Sequence, residues 1–137
     1  MAATVRQVAY CSVVVDDKPG VALRMLVQIA AAGVNLLAFH AVPLGIGKTQ
    51  FVLFPDDLDD LAAIAQREGW ALSPPQHAFL VQGEDRPGAL AECHRLLADH
   101  DVNVVCSTGV TDGRGGYSYL IYVRHEDVDR VDALLGA

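Results

Sequence analysis

The feature that most limits how this 137-residue chain can fold is that it contains its own copy. Setting Asp17 against Asp85, an offset of 68 residues, lays Asp17-Lys18-Pro19-Gly20 on Asp85-Arg86-Pro87-Gly88 without a gap. In the same register Ala30 meets Ala98, Val34-Asn35 meets Val102-Asn103, and Val42 meets Val110. Gly45 and Gly47 meet Gly113 and Gly115, and Phe51-Val52-Leu53-Phe54 meets Tyr119-Leu120-Ile121-Tyr122. After a two-residue slip, Asp57-Leu58-Asp59 meets Asp127-Val128-Asp129. Chance would match one tetrapeptide, not spaced features over roughly 40 residues in register. The reading is a tandem duplication with a junction near Ser73-Pro74-Pro75-Gln76, where two prolines stop a helix or a central strand. The expected domains are 1–73 and 74–137.

Both copies predict the same elements. A β-branched or apolar run opens each, Val13-Val14-Val15 and Phe79-Leu80-Val81. The Asp-basic-Pro-Gly turn follows, then a helix, Val21 to Ala32 in one and Ala89 to His100 in the other, with Gly33 as a terminator. Two strands come next, Leu36 to Val42 and Gln50 to Phe54, then Val104 to Val110 and Tyr117 to Val123, joined by glycine-bearing turns. A second helix is expected from an aspartate cap, Asp57 leading into Leu58, Leu61 and Ile64, and Asp127 into Val128, Val131 and Leu135. Copy one adds a short strand at Trp70-Ala71-Leu72, and copy two ends without its last strand. Each unit therefore reads strand-helix-strand-strand-helix-strand: α+β, ferredoxin-like, an antiparallel sheet with helices on one face. The long segment Thr4 to Val15 has residues to cover the edge that copy two leaves open.

Composition narrows the function. Fifty-two per cent of the residues are hydrophobic and 20% charged, which is a folding composition and not a disordered one. A formal charge of -7 argues against phosphate neutralisation, hence against nucleic acid, and against an anionic membrane surface. No apolar run is long enough to span a bilayer, and no signal peptide is visible at the start. Cys11, Cys93 and Cys106 are odd in number and irregularly spaced, so a disulfide framework is not expected and a cytoplasmic setting is.

A strand, Asp-basic-Pro-Gly, an apolar helix and a helix-end Val-Asn, all duplicated, resemble the ACT domain family over nearly the whole chain. The resemblance implies a non-catalytic regulatory module that binds a small metabolite, often an amino acid, where two domains meet. Carried residue by residue, it points to Asp17, Lys18, Pro19, Gly20, Val21, Ala22 and Asn35, and to Asp85, Arg86, Pro87, Gly88, Ala89, Leu90 and Asn103. The family usually has a branched aliphatic two places after the glycine. Leu90 keeps it, whereas copy one has Ala22 with Leu23 shifted on, so equal use of the two sites is not expected.

The chemistry stands without the family. Proline is tolerated near a helix start, glycine permits a tight turn, and the first helical N–H groups are unpaired at the positive end of the dipole. An amino acid's carboxylate suits such a place. Its ammonium needs acceptors, which Asp17, Asp85, strand carbonyls or the amides of Asn35 and Asn103 can supply. The plainer reading is that Asp-x-Pro-Gly is a strand-to-helix connector with Asp as a cap, and that Asn35 and Asn103 hold the helix exits.

Other constellations are weaker. Gly47-Lys48-Thr49 lacks the upstream glycine of a phosphate loop, since Val42 stands there. Gly116-Tyr117-Ser118-Tyr119-Leu120-Ile121-Tyr122 approximates an RNA-binding strand, but it lacks the leading basic residue and copy one does not repeat it. His40, His77, His94, His100 and His125 are scattered, and adjacent Cys93 and His94 on a helix point apart, so no metal or other cofactor is expected. No serine or cysteine shows a catalytic spacing. Asp16-Asp17 and Asp56-Asp57 read as caps and solvated turns. Met25, Leu26 and Val27 run almost round the first helix, with only Arg24 and Gln28 as a wet stripe, which predicts cover by the other copy or by a homodimer partner. The expected role is a metabolite sensor. The alternatives are a docking subunit of a metabolic enzyme with no working ligand site, and a small enzyme.

Overall fold

The computed structural model describes residues 2–137. The elements run β1 (Ala3–Asp16), α1 (Val21–Ala31), β2 (Leu36–Gly45), β3 (Lys48–Pro55), α2 (Leu58–Glu68), β4 (Gln76–Glu84), α3 (Ala89–Asp99), β5 (Val104–Thr111), β6 (Gly116–Val123) and α4 (Val128–Leu135). The fold is α+β and ferredoxin-like, with antiparallel strand pairing and helices on one face. Contacts divide the chain into two compact units, Ala9–Gln76 on the one hand and the residues up to Val8 with His77–Ala137 on the other.

In the unit Ala9–Gln76 the strand order is β2-β3-β1. β1 and β3 are in register from Cys11↔Leu53 to Asp16↔Lys48, so Cys11, Val13, Phe51 and Leu53 share the face that receives the helices. α1 turns Met25 and Ile29 inward and α2 turns Leu61 and Ile64, the i,i+3 and i,i+4 spacings that put apolar groups on one side of a helix. Asp57 caps α2 as expected, its carboxylate accepting from the Asp60 amide at 3.0 Å, and Gly69 ends that helix in the left-handed region.

One expected element is absent. Trp70-Ala71-Leu72 forms no strand. Trp70 and Leu72 pack on the core, and pairing with β1 shrinks to one residue: the Ser73 amide donates to the Ser12 carbonyl at 2.8 Å and the Ser12 amide to Ser73 Oγ at 2.9 Å. Pro74 and Pro75 follow at once and have no N–H with which to continue a ladder.

The other unit has the order β1-β4-β6-β5, with β1 represented by its first half. β4 and β6 pair from Phe79↔Ile121 to Glu84↔Gly116, the register of β1 and β3 moved by 68 residues. Bulges interrupt β2 between Leu36 and Ala38 and β5 between Val104 and Cys106, again 68 residues apart. No strand follows α4. Its place beside β4 is filled by the start of β1, where Ala3 and Val5 pack on the core and Thr4 Oγ1 donates to the Gln82 carbonyl at 3.3 Å.

Asp127 departs from the expectation of a cap. It lies in a helical conformation at the end of a 3-10 turn, His125–Asp127, and makes no cap bond to α4. Its carboxylate, in a residue 5% exposed, instead takes Arg124 Nε at 3.1 Å and an Arg130 guanidinium nitrogen at 3.0 Å. Arg130 also donates to the His100 carbonyl at 2.9 Å, so one aspartate organises the join between α4 and the end of α3. The Asp127 hydrogen bond from Arg130, with that from Arg124, holds its carboxyl below the ordinary carboxylate value.

Candidate functional site

Each Asp-basic-Pro-Gly turn is clasped to the hairpin beside it. The Asp17 amide donates to the Gly47 carbonyl at 2.8 Å, and the Asp85 amide to the Gly115 carbonyl at 2.9 Å. The glycine that ends the turn is the N-cap residue, with φ 90° at Gly20 and φ 83° at Gly88, and no side chain caps α1 or α3. Asp17 and Asp85 are therefore not helix caps. A Cβ on either glycine would meet nothing within 4 Å, so positive φ, and not close approach, demands glycine here.

The first α-type bonds run from the Arg24 amide to the Gly20 carbonyl (3.0 Å) and from the Glu92 amide to the Gly88 carbonyl (3.4 Å). Among the described residues nothing accepts from the amides of Ala22 and Leu23, or of Leu90 and Ala91. These are bare donors at the positive end of a helix.

A cleft opens at each turn. One, of 310 Å³, is bounded on the turn side by Asp16, Asp17, Lys18, Val21 and Ala22, and on the strand side by Ala41, Pro43, Thr49 and Phe51. The other, of 390 Å³, is bounded by Asp85, Arg86, Gly88, Ala89, Leu90 and Ala91, and across from them by Gly109, Val110, Thr111 and Tyr117. Adding 68 to Asp17, Lys18, Val21, Ala22, Ala41, Pro43 or Thr49 gives a residue that bounds the second cleft. Pro19 and Pro87 set the turns but bound neither cleft. Asn35 and Asn103 bound neither: α1 and α3 are 11 residues each, about 16 Å at the helical rise, and the asparagines lie past their far ends. The Asn35 backbone instead exchanges hydrogen bonds with Asp56, its carbonyl accepting from the Asp56 amide at 2.8 Å and its amide donating to Asp56 Oδ1 at 3.1 Å.

The strand-side residues were not among those the sequence pointed to. Their signal lay in the repeat register, which pairs Ala41 with Gly109 and Thr49 with Tyr117, but nothing local marks them as a wall.

The two clefts differ in ways that compensate. A Cβ on Gly109 would sit 3.1 Å from the Tyr119 ring and 3.4 Å from the Leu90 side chain. The second cleft thus has a large residue at 90 and none at 109, while the first has alanine at both Ala22 and Ala41. The missing branched aliphatic at Ala22 is matched by an added methyl across the cleft.

Charge differs too. Arg86 is bound by Glu92 at 2.7 Å, so the second cleft neutralises its own cation. Arg24 stands where Glu92 would be, and among the described residues Lys18 and Arg24 have no ion-pair partner. Asp16 is held below the ordinary carboxylate value, first by the hydrogen bond from Lys48 and then by the Lys48 and Lys18 charges. Burial pushes the Tyr117 phenol up, and its ring lies over Gly83, where a Cβ would come within 3.0 Å of it.

Beneath the second cleft, His94 Nε2 lies 2.6 Å from the Tyr119 hydroxyl, which donates to Ser107 Oγ at 2.8 Å. The matching residues of the other unit are Leu26, Phe51 and Phe39, and the two phenylalanine rings pack 5.2 Å apart. Among the described residues no group of three or more His, Cys, Asp or Glu could hold a metal ion, and no helix is long and apolar enough to cross a membrane.

No protein-family model matches the chain, and no curated protein does. Solved structures do. The chain is similar to protein BT0572 from Bacteroides thetaiotaomicron, at TM-score 0.81 and 17% identity, with 98% of this chain and 88% of that one covered. It is also similar to the regulatory subunit of aspartate kinase from Thermus thermophilus, solved ligand free, at TM-score 0.68 and 14% identity over 99% and 97% of the two chains. The corresponding subunit from Thermus flavus matches at TM-score 0.60 and 14% identity over 99% and 95%. At such identities the likeness is one of fold alone.

Proposed function

We propose that the chain is a tandem pair of ACT-like units that senses an amino acid or a similar small metabolite and regulates a partner accordingly. The observation that carries this reading is the repetition of the cleft itself. Two pockets, one per unit, are bounded by residues 68 places apart, and each joins bare helix amides to a free carboxylate, Asp17 or Asp85. A zwitterion fits that chemistry: its carboxylate takes the amides of Ala22 and Leu23, or of Leu90 and Ala91, and its ammonium takes the aspartate. Lys18 adds a cation to one cleft, and the hydroxyls of Thr49 and Tyr117, which make no hydrogen bond among the described residues, bound the clefts from the strands. Two of the solved structures of similar fold are regulatory subunits of aspartate kinase, which supports an enzyme as the partner.

Only a guest that prefers one arrangement of the protein over another does regulatory work. Asn35 and Asn103, at the far ends of α1 and α3, would reach a guest from a facing copy of the chain. A second copy or a docked enzyme is favoured by α1: Leu23 is 67% and Val27 56% exposed, whereas their counterparts on α3 are Ala91 and Arg95.

Thermal-shift measurements against the twenty amino acids test the reading. A guest at 100 times its dissociation constant adds about 2.7 kcal/mol of stability. Gly20→Val and Gly88→Val should each remove the response of their own cleft while the chain stays folded. No shift with any amino acid would leave the docking role, and full binding by both variants would remove the turns as the site.

A further inference from the structure

The β2–β3 hairpin breaks a local rule that its counterpart obeys. Gly45 pairs with Lys48, leaving a two-residue loop, Ile46-Gly47, with φ 49° and 73°. Left-handed backbone at both loop positions is the turn that Asn-Gly normally makes, and a β-branched residue at the first position is strained. No packing holds Ile46 there: it is 98% exposed, and Leu44 beside it is 50% exposed.

The β5–β6 hairpin is built otherwise. Its last pair is Thr111↔Tyr117, so the loop is longer, and Arg114, the counterpart of Ile46, has ordinary φ. Asp112, the counterpart of Leu44, pins that loop by accepting from the Arg114 amide at 2.6 Å and the Gly116 amide at 3.1 Å. The amides pull the Asp112 carboxyl below its ordinary value. One tip is pinned by its own side chain, and the other is apolar and strained, with no side chain to pin it and one backbone bond at Gly47.

The strained tip adjoins the first cleft. Pro43 and Thr49, a directly opposed pair, form part of its wall, and the Gly47 carbonyl receives the Asp17 amide of the binding turn. We infer that Leu44–Gly47 is a strap for this cleft, which swings Ile46 out of the left-handed region to cover the apolar part of a guest. Strain and exposure keep the open tip high in free energy, so a guest with an aliphatic side chain closes it by giving Ile46 something to bury. The strap rests on the sensing reading for its guest, but its mobility does not. The second cleft, with its pinned loop, has no such strap.

Hydrogen exchange on the full chain without additive tests the mobility. Asparagine accepts the left-handed turn, so Ile46→Asn should slow exchange of the Gly45 and Lys48 amides by roughly tenfold or more, while Arg114→Asn leaves its own loop unchanged. Equal rates in wild type and Ile46→Asn overturn the strap. Valine, leucine, isoleucine, methionine and phenylalanine then serve as apolar probes, with glycine as the probe lacking a side chain. Ile46→Asn should weaken the best apolar probe by about tenfold and glycine hardly at all, and Ile46→Leu should restore the apolar probe. Undiminished binding of the apolar probe by Ile46→Asn also overturns the strap. If wild type responds to no amino acid, the sensing reading falls, and the exchange comparison alone decides whether the tip opens.

Discussion

The unit Ala9–Gln76 and the unit that carries His77–Ala137 share a register, a bulge and a turn, yet they solve the same packing problem with opposite chemistry. At its cleft the first packs Phe39 on Phe51, with Leu26 at the third matching position, and the second wires His94, Ser107 and Tyr119 through hydrogen bonds. Across its cleft the first sets alanine against alanine, and the second leucine against glycine. One frame therefore accepts either solution, provided that all members of a set change together. Partial exchange is where cost should appear, because a lone polar group in an apolar set has no partner and a lone methyl in a full set has no room.

The largest effect is expected from moving one polar atom into the apolar set. Phe51→Tyr adds a hydroxyl beside Phe39, which offers no oxygen or nitrogen to accept it, and should destabilise by about 2 kcal/mol in chemical denaturation. Adding Leu26→His and Phe39→Ser should recover most of that loss; no recovery would break the idea that the sets are interchangeable. Next comes Gly109→Ala, whose methyl would press on Tyr119 and Leu90 and cost about 1.5 kcal/mol. Leu90→Ala in the same chain should relieve the part due to Leu90, since Ala22 and Ala41 already coexist, and a double-mutant cycle with no coupling would refute the compensation.

A smaller change separates the helix starts. Asp57→Ala removes a true cap and should cost about 1 kcal/mol, with urea midpoint as the readout. Asp127 acts by another route, as a carboxylate between two arginines. Its pKa is lowered in the folded chain, so its contribution is complete above the unfolded carboxylate value, near 3.9, and fades as pH falls through the lower folded value. Asp127→Asn should therefore flatten the acid limb of the stability profile and leave its slope at neutral pH untouched. Should the acid limb stay as steep, the arginine pair contributes nothing there.

Much of this was legible in the residues. The α1 range, Val21–Ala31, follows from apolar spacing after a glycine, and the Asp57 cap from an aspartate three places before another amide it can reach. The turns of the candidate site were legible too, because Asp-basic-Pro-Gly is local. Two expectations failed, each for its own reason. Trp70-Ala71-Leu72 has strand composition but needs a free ladder edge followed by donors, and prolines follow. Asp127 has cap composition but lies within reach of two arginines, which bind a carboxylate more strongly than an amide does.

By itself the chain determined the order of its helices and strands and the two glycine turns, because each depends on hydrogen bonds and apolar periodicity among residues close in sequence. Tertiary structure decided which residues fill the strand positions beside β1 and β4, and which strand residues wall each cleft. It also decided that Ile46 would stand strained in the open. Those depend on what meets an unpaired amide or an unfilled volume across the fold, and no local pattern records such a meeting.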